Sequence, residues 1–190
     1  MSDPFGDELI QFFLRNRSDI KAWAAIEAQA IEATRELLAQ SQPELEAALL
    51  AADPTILVGR HDSAPWERIF ARRERWPESL GLALEWHRAV DSLANAPKIG
   101  VFWWADPPAL EEPRTRLTTV VDKVQLQKLG YKVPMSGIWP VGAYVAATPD
   151  WWRDPTSWIA EIAERLSATW PLVAPHIDEV LSDNWQVSRG

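Results

Sequence analysis

Leu80-Gly81-Leu82-Ala83-Leu84-Glu85-Trp86-His87 alternates large apolar residues with small or polar ones over eight positions. Successive side chains of an extended chain project to opposite faces. The period of two therefore predicts a strand with one greasy face, Leu80, Leu82, Leu84 and Trp86, and one face that is small and then polar, Gly81, Ala83, Glu85 and His87. Just before it, Trp66 to Trp76 leads into Pro77-Glu78-Ser79. Trp66, Ile69, Phe70 and Arg73 fit a helical stripe as well, but the turn signal that follows favours the first arm of a hairpin. Further back, Thr55-Ile56-Leu57-Val58 predicts a short strand ending at Gly59.

On the other side, Lys98-Ile99-Gly100-Val101-Phe102-Trp103-Trp104 carries apolar residues at both parities, which suits a central strand covered on two faces. Residues 138–147 predict one more strand, made an edge or bulged strand by Pro140 and Gly142. Between these two, Arg114 to Leu129 reads as a helix with Leu117, Val120, Val121 and Val124 on one stripe and Gly130 as its stop.

The flanks read as helix. Asp7 can cap an amphipathic turn carrying Leu9, Ile10, Phe13 and Leu14, which breaks at Asn16-Arg17-Ser18. A longer helix then carries Ile20, Trp23, Ala24, Ala30, Ile31, Leu37 and Leu38, and Pro43 opens a third that ends before Asp53-Pro54. At the C-terminal end, one helix is expected from Pro155 to Trp170 and another from Pro171 through Leu181. The order predicts an α+β fold: N-terminal helices, a central, mainly antiparallel sheet of about four or five strands, and C-terminal helices packed on the sheet. No stretch is rich enough in Pro, Gly or Ser to act as a linker, so residues 1–190 are expected to form one domain. Within it, 1–52 is the helical segment, 55–147 the strand-rich core with one helix, and 154–182 the C-terminal helices.

The chain has 190 residues, 47% of them hydrophobic, a net charge of -8 and no cysteine. The apolar fraction argues against disorder. Lack of cysteine excludes disulfides, thiolate nucleophiles and cysteine-ligated metals, and points to the cytoplasm. Nothing approaches the ~20 apolar residues of a membrane span, so no membrane partner is expected. High Ala, Trp and Arg usage with few Lys points to a GC-rich bacterial source. The 12 tryptophans can fill a core or line a binding surface.

Three groups of residues carry the candidate chemistry. Trp103-Trp104-Ala105-Asp106-Pro107 and Trp151-Trp152-Arg153-Asp154-Pro155 echo each other, with Asp-Pro suited to start a helix and paired indoles suited to clamp a flat ligand or partner. Trp104, Trp151 and Trp152 are the indoles expected at the surface. His61 and Asp62 with Glu85 and His87 offer imidazoles and carboxylates that could gather a divalent metal. The spacing of Asp62 and Glu85 resembles that of the PD-(D/E)XK metal-dependent nucleases, with His87 where those carry lysine; the resemblance implies a magnesium ion and an activated water. Third, Arg60, Arg68, Arg72, Arg73 and Arg75, with Arg114, Arg116, Lys123, Lys128 and Lys132, could form a basic face, although interleaved glutamates favour ion pairs. The net charge weighs against nucleic acid as the partner.

No dinucleotide or P-loop motif, nucleophile elbow or zincin motif is present. The leading expectation is a non-enzymatic interaction module or regulatory subunit of a bacterial cytosolic assembly. It would bind another protein, or a further copy of itself, through Trp104, Trp151, Trp152, Arg72 and Arg73, and it calls for no cofactor and no metal. The alternative is a small metal-dependent, nuclease-like hydrolase with Asp62, Glu85 and His87 as the catalytic set. A further alternative is a small-molecule sensor with an aromatic pocket.

Overall fold

The computed structural model describes residues 7–63, 65–87, 96–104, 111–145 and 153–187; at 62, 63 and 183–187 it describes the backbone only. Trp151, Trp152, Asp106 and Pro107 lie outside the described residues.

Three helices open the chain, α1 (Glu8–Arg15), α2 (Arg17–Gln40) and α3 (Gln42–Ala52). Asp7 accepts from the Leu9 N–H and so caps α1, and Asn16 closes it by donating from backbone and side chain to the Phe12 carbonyl. A meander follows: β1 (Ile56–Ser63), β2 (Trp66–Arg73), β3 (Leu80–His87) and β4 (Lys98–Trp103). After α4 (Glu111–Val120) and α5 (Lys123–Lys128) comes β5 (Val141–Tyr144), and α6 (Pro155–Val187) ends the fold. The five strands form one sheet in sequence order, every neighbouring pair antiparallel. The fold is the expected α+β arrangement.

The alternation in β3 sorts the two sheet faces. Leu80, Leu82, Leu84 and Trp86 join Ile69, Ala71, Ile99, Val101, Trp103, Val141 and Ala143 in the main core, closed by Leu45 and Leu49 of α3 and by Trp158, Ile162, Leu166, Trp170 and Ile177 of α6. A smaller cluster of Ala83, Phe102 and Trp139, flanked by Phe70, Met135 and Ile138, lies on the opposite face. The β2 segment, ambiguous by period, is a strand because its Ile69 and Ala71 are needed on the core side between β1 and β3.

Four boundaries differ from expectation. The strand expected to end at Gly59 runs on to Ser63, because residues 59–63 pair with Trp66 to Phe70 of β2. The single helix expected over 114–129 is two, because Asp122 adopts an extended conformation and accepts from the Val124 and Gln125 N–H groups, capping a new helix. Gly130, at φ 80°, then ends α5, with the Tyr131 N–H bonded to the Leu126 carbonyl and Gly130 N–H to Gln127. The strand expected over 138–147 begins only at 141 and runs to 144, since 131–140 folds back as a turn joined by the Lys132–Gly142 and Ser136–Trp139 bridges; 146 and 147 lie outside the described residues. The two C-terminal helices are one: Pro171 and Pro175 lie inside α6 on exposed positions, while Trp170, Val173, Ala174 and Ile177 stay buried. The continuous apolar stripe holds the helix together across both prolines. Its start is as expected, with Asp154 accepting from the Ser157 N–H and hydroxyl just before Pro155.

One ionic staple fixes the helix-covered side. Arg73, the last residue of β2, bridges Asp53 after α3 and Asp178 of α6. Trp76 and Trp170 stack at 5.2 Å and donate their indole N–H groups to Asp178 and Asp53. The Thr55 hydroxyl, the Arg73 guanidinium and the Thr55 N–H together hold the Asp53 carboxyl well below the usual carboxylate range.

Candidate ligand cavity on the open sheet face

Strand register brings together residues that sequence spacing keeps apart. His61 of β1 lies opposite Arg68 of β2, Arg68 opposite Glu85 of β3, Glu85 opposite Lys98 of β4, and Lys98 opposite Tyr144 of β5. Directly opposed residues share a face, so one polar row crosses the whole sheet on the side away from the main core. The adjacent row is small apart from Phe70: Gly59, Phe70, Ala83, Gly100 and Gly142. Beyond it Gly81 is paired with Phe102.

The glycines make room for what lies on them. A Cβ at Gly81 would meet the Ala71 carbonyl oxygen at 2.4 Å and the Phe70 ring at 2.9 Å. Gly100 has φ 141°, and a Cβ there would lie 2.2 Å from the Val141 carbonyl oxygen. The Phe70 and Phe102 rings meet edge to face at 6.2 Å, and Phe102 meets Trp139 in the same way at 5.5 Å. Two backbone bonds set the rim: the Trp103 N–H donates to the Ile138 carbonyl at 2.9 Å, and the Trp104 N–H to Ser79 at 2.9 Å.

These elements enclose a cavity of about 590 Å³ walled by Trp66, Phe70, Phe102, Trp104 and Ile138, with Arg68, Glu85 and Lys98 as its polar floor. That volume falls in the range of small-molecule sites, and so does the composition, aromatic walls with a few converging polar groups. The Glu85 carboxylate is 2% exposed; Arg68 Nε donates to it and Lys98 Nζ lies 3.7 Å away. Both cations also lie over rings, the Arg68 guanidinium 4.2 Å from the Phe102 centroid and the Lys98 ammonium 4.8 Å from Trp66. Two cations against one carboxylate give the floor itself one net positive charge, which the Glu78 carboxylate, lining the same cavity, offsets. Trp104 is 53% exposed, an indole face held at the mouth.

The sequence-derived candidates divide as follows. Trp104 and Glu85 line the cavity, as does His61 at its edge. His87 sits against the Trp66 ring, edge to face at 4.5 Å. His61, Glu85 and His87 thus share a face, with Arg68 standing between His61 and Glu85. The Asp62 backbone pairs with Glu67, and its side chain is outside the described part. Among the described residues no group of three His, Cys, Asp or Glu side chains could hold a metal ion. Arg73 belongs to the ionic staple on the opposite face, and Arg72 donates to the carbonyls of Arg73, Glu74 and Trp76, closing the β2–β3 turn. Arg60, Arg75, Arg114 and Arg116 pair with Glu67, Asp178, Glu111 and Glu179, so this part of the basic set is spent in ion pairs.

Most described tryptophans are structural: Trp76, Trp86, Trp103, Trp139, Trp158 and Trp170 are buried, whereas Trp66 and Trp104 face the cavity and Trp23 is exposed. Sequence reasoning missed Lys98, Phe70, Phe102 and Trp66 as a group. The signal was present in the parity of β2 and β4, where Trp66, Arg68, Phe70 and Lys98, Gly100, Phe102 occupy alternate positions. No helix among the described residues is long and apolar enough to cross a membrane. Comparisons of the chain with protein-family models, with curated proteins and with solved structures gave no match.

Proposed function

We propose that the protein is a small-molecule-binding module of the sensor type, whose cavity on the open sheet face takes a flat, largely apolar ligand carrying one anionic group. The observation that supports this reading is the joining of an aromatic wall to an Arg68–Glu85–Lys98 floor in which two cations share one buried carboxylate. Flat rings stack on Trp104 and Trp66, and a carboxylate, sulfonate or phosphate meets the cationic side of the floor, where water is largely excluded. The sheet positions Trp66, Arg68, Glu85 and Lys98, and the backbone bond to Ser79 holds Trp104 just past β4, so little ordering is needed on binding. Of the residues expected to bind another protein or a further copy of this chain, Trp104 serves this cavity, while Arg72 and Arg73 are engaged in the β2–β3 turn and the ionic staple.

A matched pair of probes tests the reading: anilinonaphthalene sulfonate and its uncharged counterpart phenylnaphthylamine, which share the ring system. The sulfonate is expected to bind the native protein at one site per chain and more tightly than the neutral compound. Trp104→Ala should weaken it about fivefold, the equivalent of ~1 kcal/mol of lost stacking. Equal affinity for the two probes, or binding indifferent to Trp104→Ala, would overturn the proposal.

A further inference from the structure

From Asp7 to Ala33 no side chain is buried, and the first buried residues of α2 are Thr34 and Leu38. A helix this poorly supported by tertiary contact is marginal in water, since nucleation and propagation barely balance without a packed face. Large apolar residues are nonetheless among the exposed ones of α1 and α2. Leu9, Phe12, Phe13 and Leu14 of α1 and Trp23 and Ile26 of α2 are all exposed, Leu9 at 78% and Trp23 at 74%.

The pattern along α2 is a seam rather than a scatter. Ile20, Trp23, Glu27, Ala30, Thr34 and Leu37 recur at intervals of three and four, the heptad spacing of a helix that packs along another helix. The C-terminal end of this seam is covered by the body, where Thr34 is buried and Leu37 packs against the main core. The N-terminal end, Ile20 to Ala30, is open.

We infer that the open seam is closed by α2 of a second copy of this chain, running antiparallel. The polar members of the helix select this occupant and this direction. In a parallel pair Glu27 would face its own copy inside an apolar seam, and like charges there repel. In an antiparallel pair centred near Ala25, Glu27 shares a layer with Trp23 of the other copy, whose indole N–H is a donor, and Ile20 shares a layer with Ala30. Charge is also segregated along α2. Arg17 and Lys21 lie at one end, and Glu27, Glu32 and Glu36 toward the other, with Asp19 and Arg35, which pairs with Glu32, as the exceptions. Reversing one copy therefore sets the basic end of each against the acidic end of its mate. Ala24, Ala28 and Ala30 let the two backbones approach closely. At about 150–250 Å² per aromatic side chain, the exposed apolar residues of the two helices offer several hundred Å² per copy, the scale of a standard interface of ~800 Å² per partner.

Sedimentation equilibrium on the full chain, over about 1 to 100 µM, tests the inference. A dimer is expected. Trp23→Asp should raise its dissociation constant at least tenfold while the thermal unfolding of the dilute protein stays unchanged, because no core contact is lost. Arg17→Glu with Lys21→Glu should also weaken the dimer. That variant mixed with one carrying Glu27→Lys and Glu32→Lys should form heterodimers tighter than either homodimer. A wild type that stays monomeric throughout, a dimer indifferent to Trp23→Asp, or charge variants that fail to pair on mixing would each overturn it. A monomer that partitions onto phosphatidylcholine vesicles would do so in favour of a membrane surface. The cavity probes read a different surface, so failure here leaves the proposed ligand site standing, and the reverse holds as well.

Discussion

Glu85→Gln and Lys98→Met remove opposite charges from the same cavity floor, and the structure predicts that they differ about threefold in cost. The Glu85 carboxylate is 2% exposed, the Arg68 side chain 10% and Lys98 24%. Replacing Glu85 deprives both cations of the carboxylate they share, and breaking a buried pair from one side costs ~3–5 kcal/mol. Glutamine keeps the volume and one acceptor oxygen, so the low end, about 3 kcal/mol, is expected. Replacing Lys98 leaves the Arg68–Glu85 pair in place. Its ammonium, 3.7 Å from the carboxylate, is beyond hydrogen-bond length, so its removal should cost about 1 kcal/mol, including the contact with Trp66. Urea unfolding at neutral pH measures both. With a slope of about 2 kcal/mol/M for a domain of this size, the midpoint should fall by about 1.5 M for Glu85→Gln and about 0.5 M for Lys98→Met. Binding should move the other way: the folded Glu85→Gln protein has a more positive floor and should hold anilinonaphthalene sulfonate about fivefold more tightly, whereas Lys98→Met should weaken it. Equal losses of stability, or a sulfonate affinity that falls with Glu85→Gln, would refute the assignment of the floor.

Four further outcomes follow from other parts of the fold. Gly100→Ala should cost about 3 kcal/mol or more, because its φ of 141° and the Val141 oxygen 2.2 Å from a new Cβ combine strain with a backbone clash. Gly59→Ala, with nothing within 4 Å of its Cβ, should change stability by less than about 0.5 kcal/mol in the same thermal melts. Asp53 has a carboxyl held below its unfolded value, so its contribution is present above about pH 4 and is lost as pH falls toward the folded value. Melting temperature against pH should therefore show Asp53→Asn well below wild type at pH 7, with the gap closing in acid; a constant gap would contradict the staple. Pro175→Ala, at an exposed position inside α6, should stabilise the chain by about 1 kcal/mol, read from the urea midpoint, by returning one helical hydrogen bond.

The elements were legible where a period governs them. Leu80 to His87 announces both a strand and its inner face, and Asp154-Pro155 and Gly130 mark helix ends by local chemistry that tertiary contacts need not alter. Helix 114–129 was misjudged because Asp122 has two satisfactory options, an exposed helical side chain or a cap, and the second stops the first helix. The prolines of α6 read as a boundary because the backbone bond they lose is local, whereas the core contacts that outweigh it come from residues as distant as Leu45 and Leu80. The candidate site was harder still. Arg68, Glu85 and Lys98 are set side by side only by the register of three strands, and nothing in their separate surroundings specifies that register. The tryptophan count fits a core or a surface, and most described indoles fill the core; of the two that wall the cavity, Trp66 is marked by strand parity and Trp104 by its place beside Trp103.

The central claim, that the open sheet face is where a flat anion binds, is tested most directly by following the indole N–H resonances by NMR during titration with anilinonaphthalene sulfonate. The account predicts saturable shifts of the Trp66 and Trp104 signals together, with Trp86 and Trp103 on the opposite face holding still. Shifts confined to Trp23, or none at Trp66 and Trp104 at saturating probe, would contradict it.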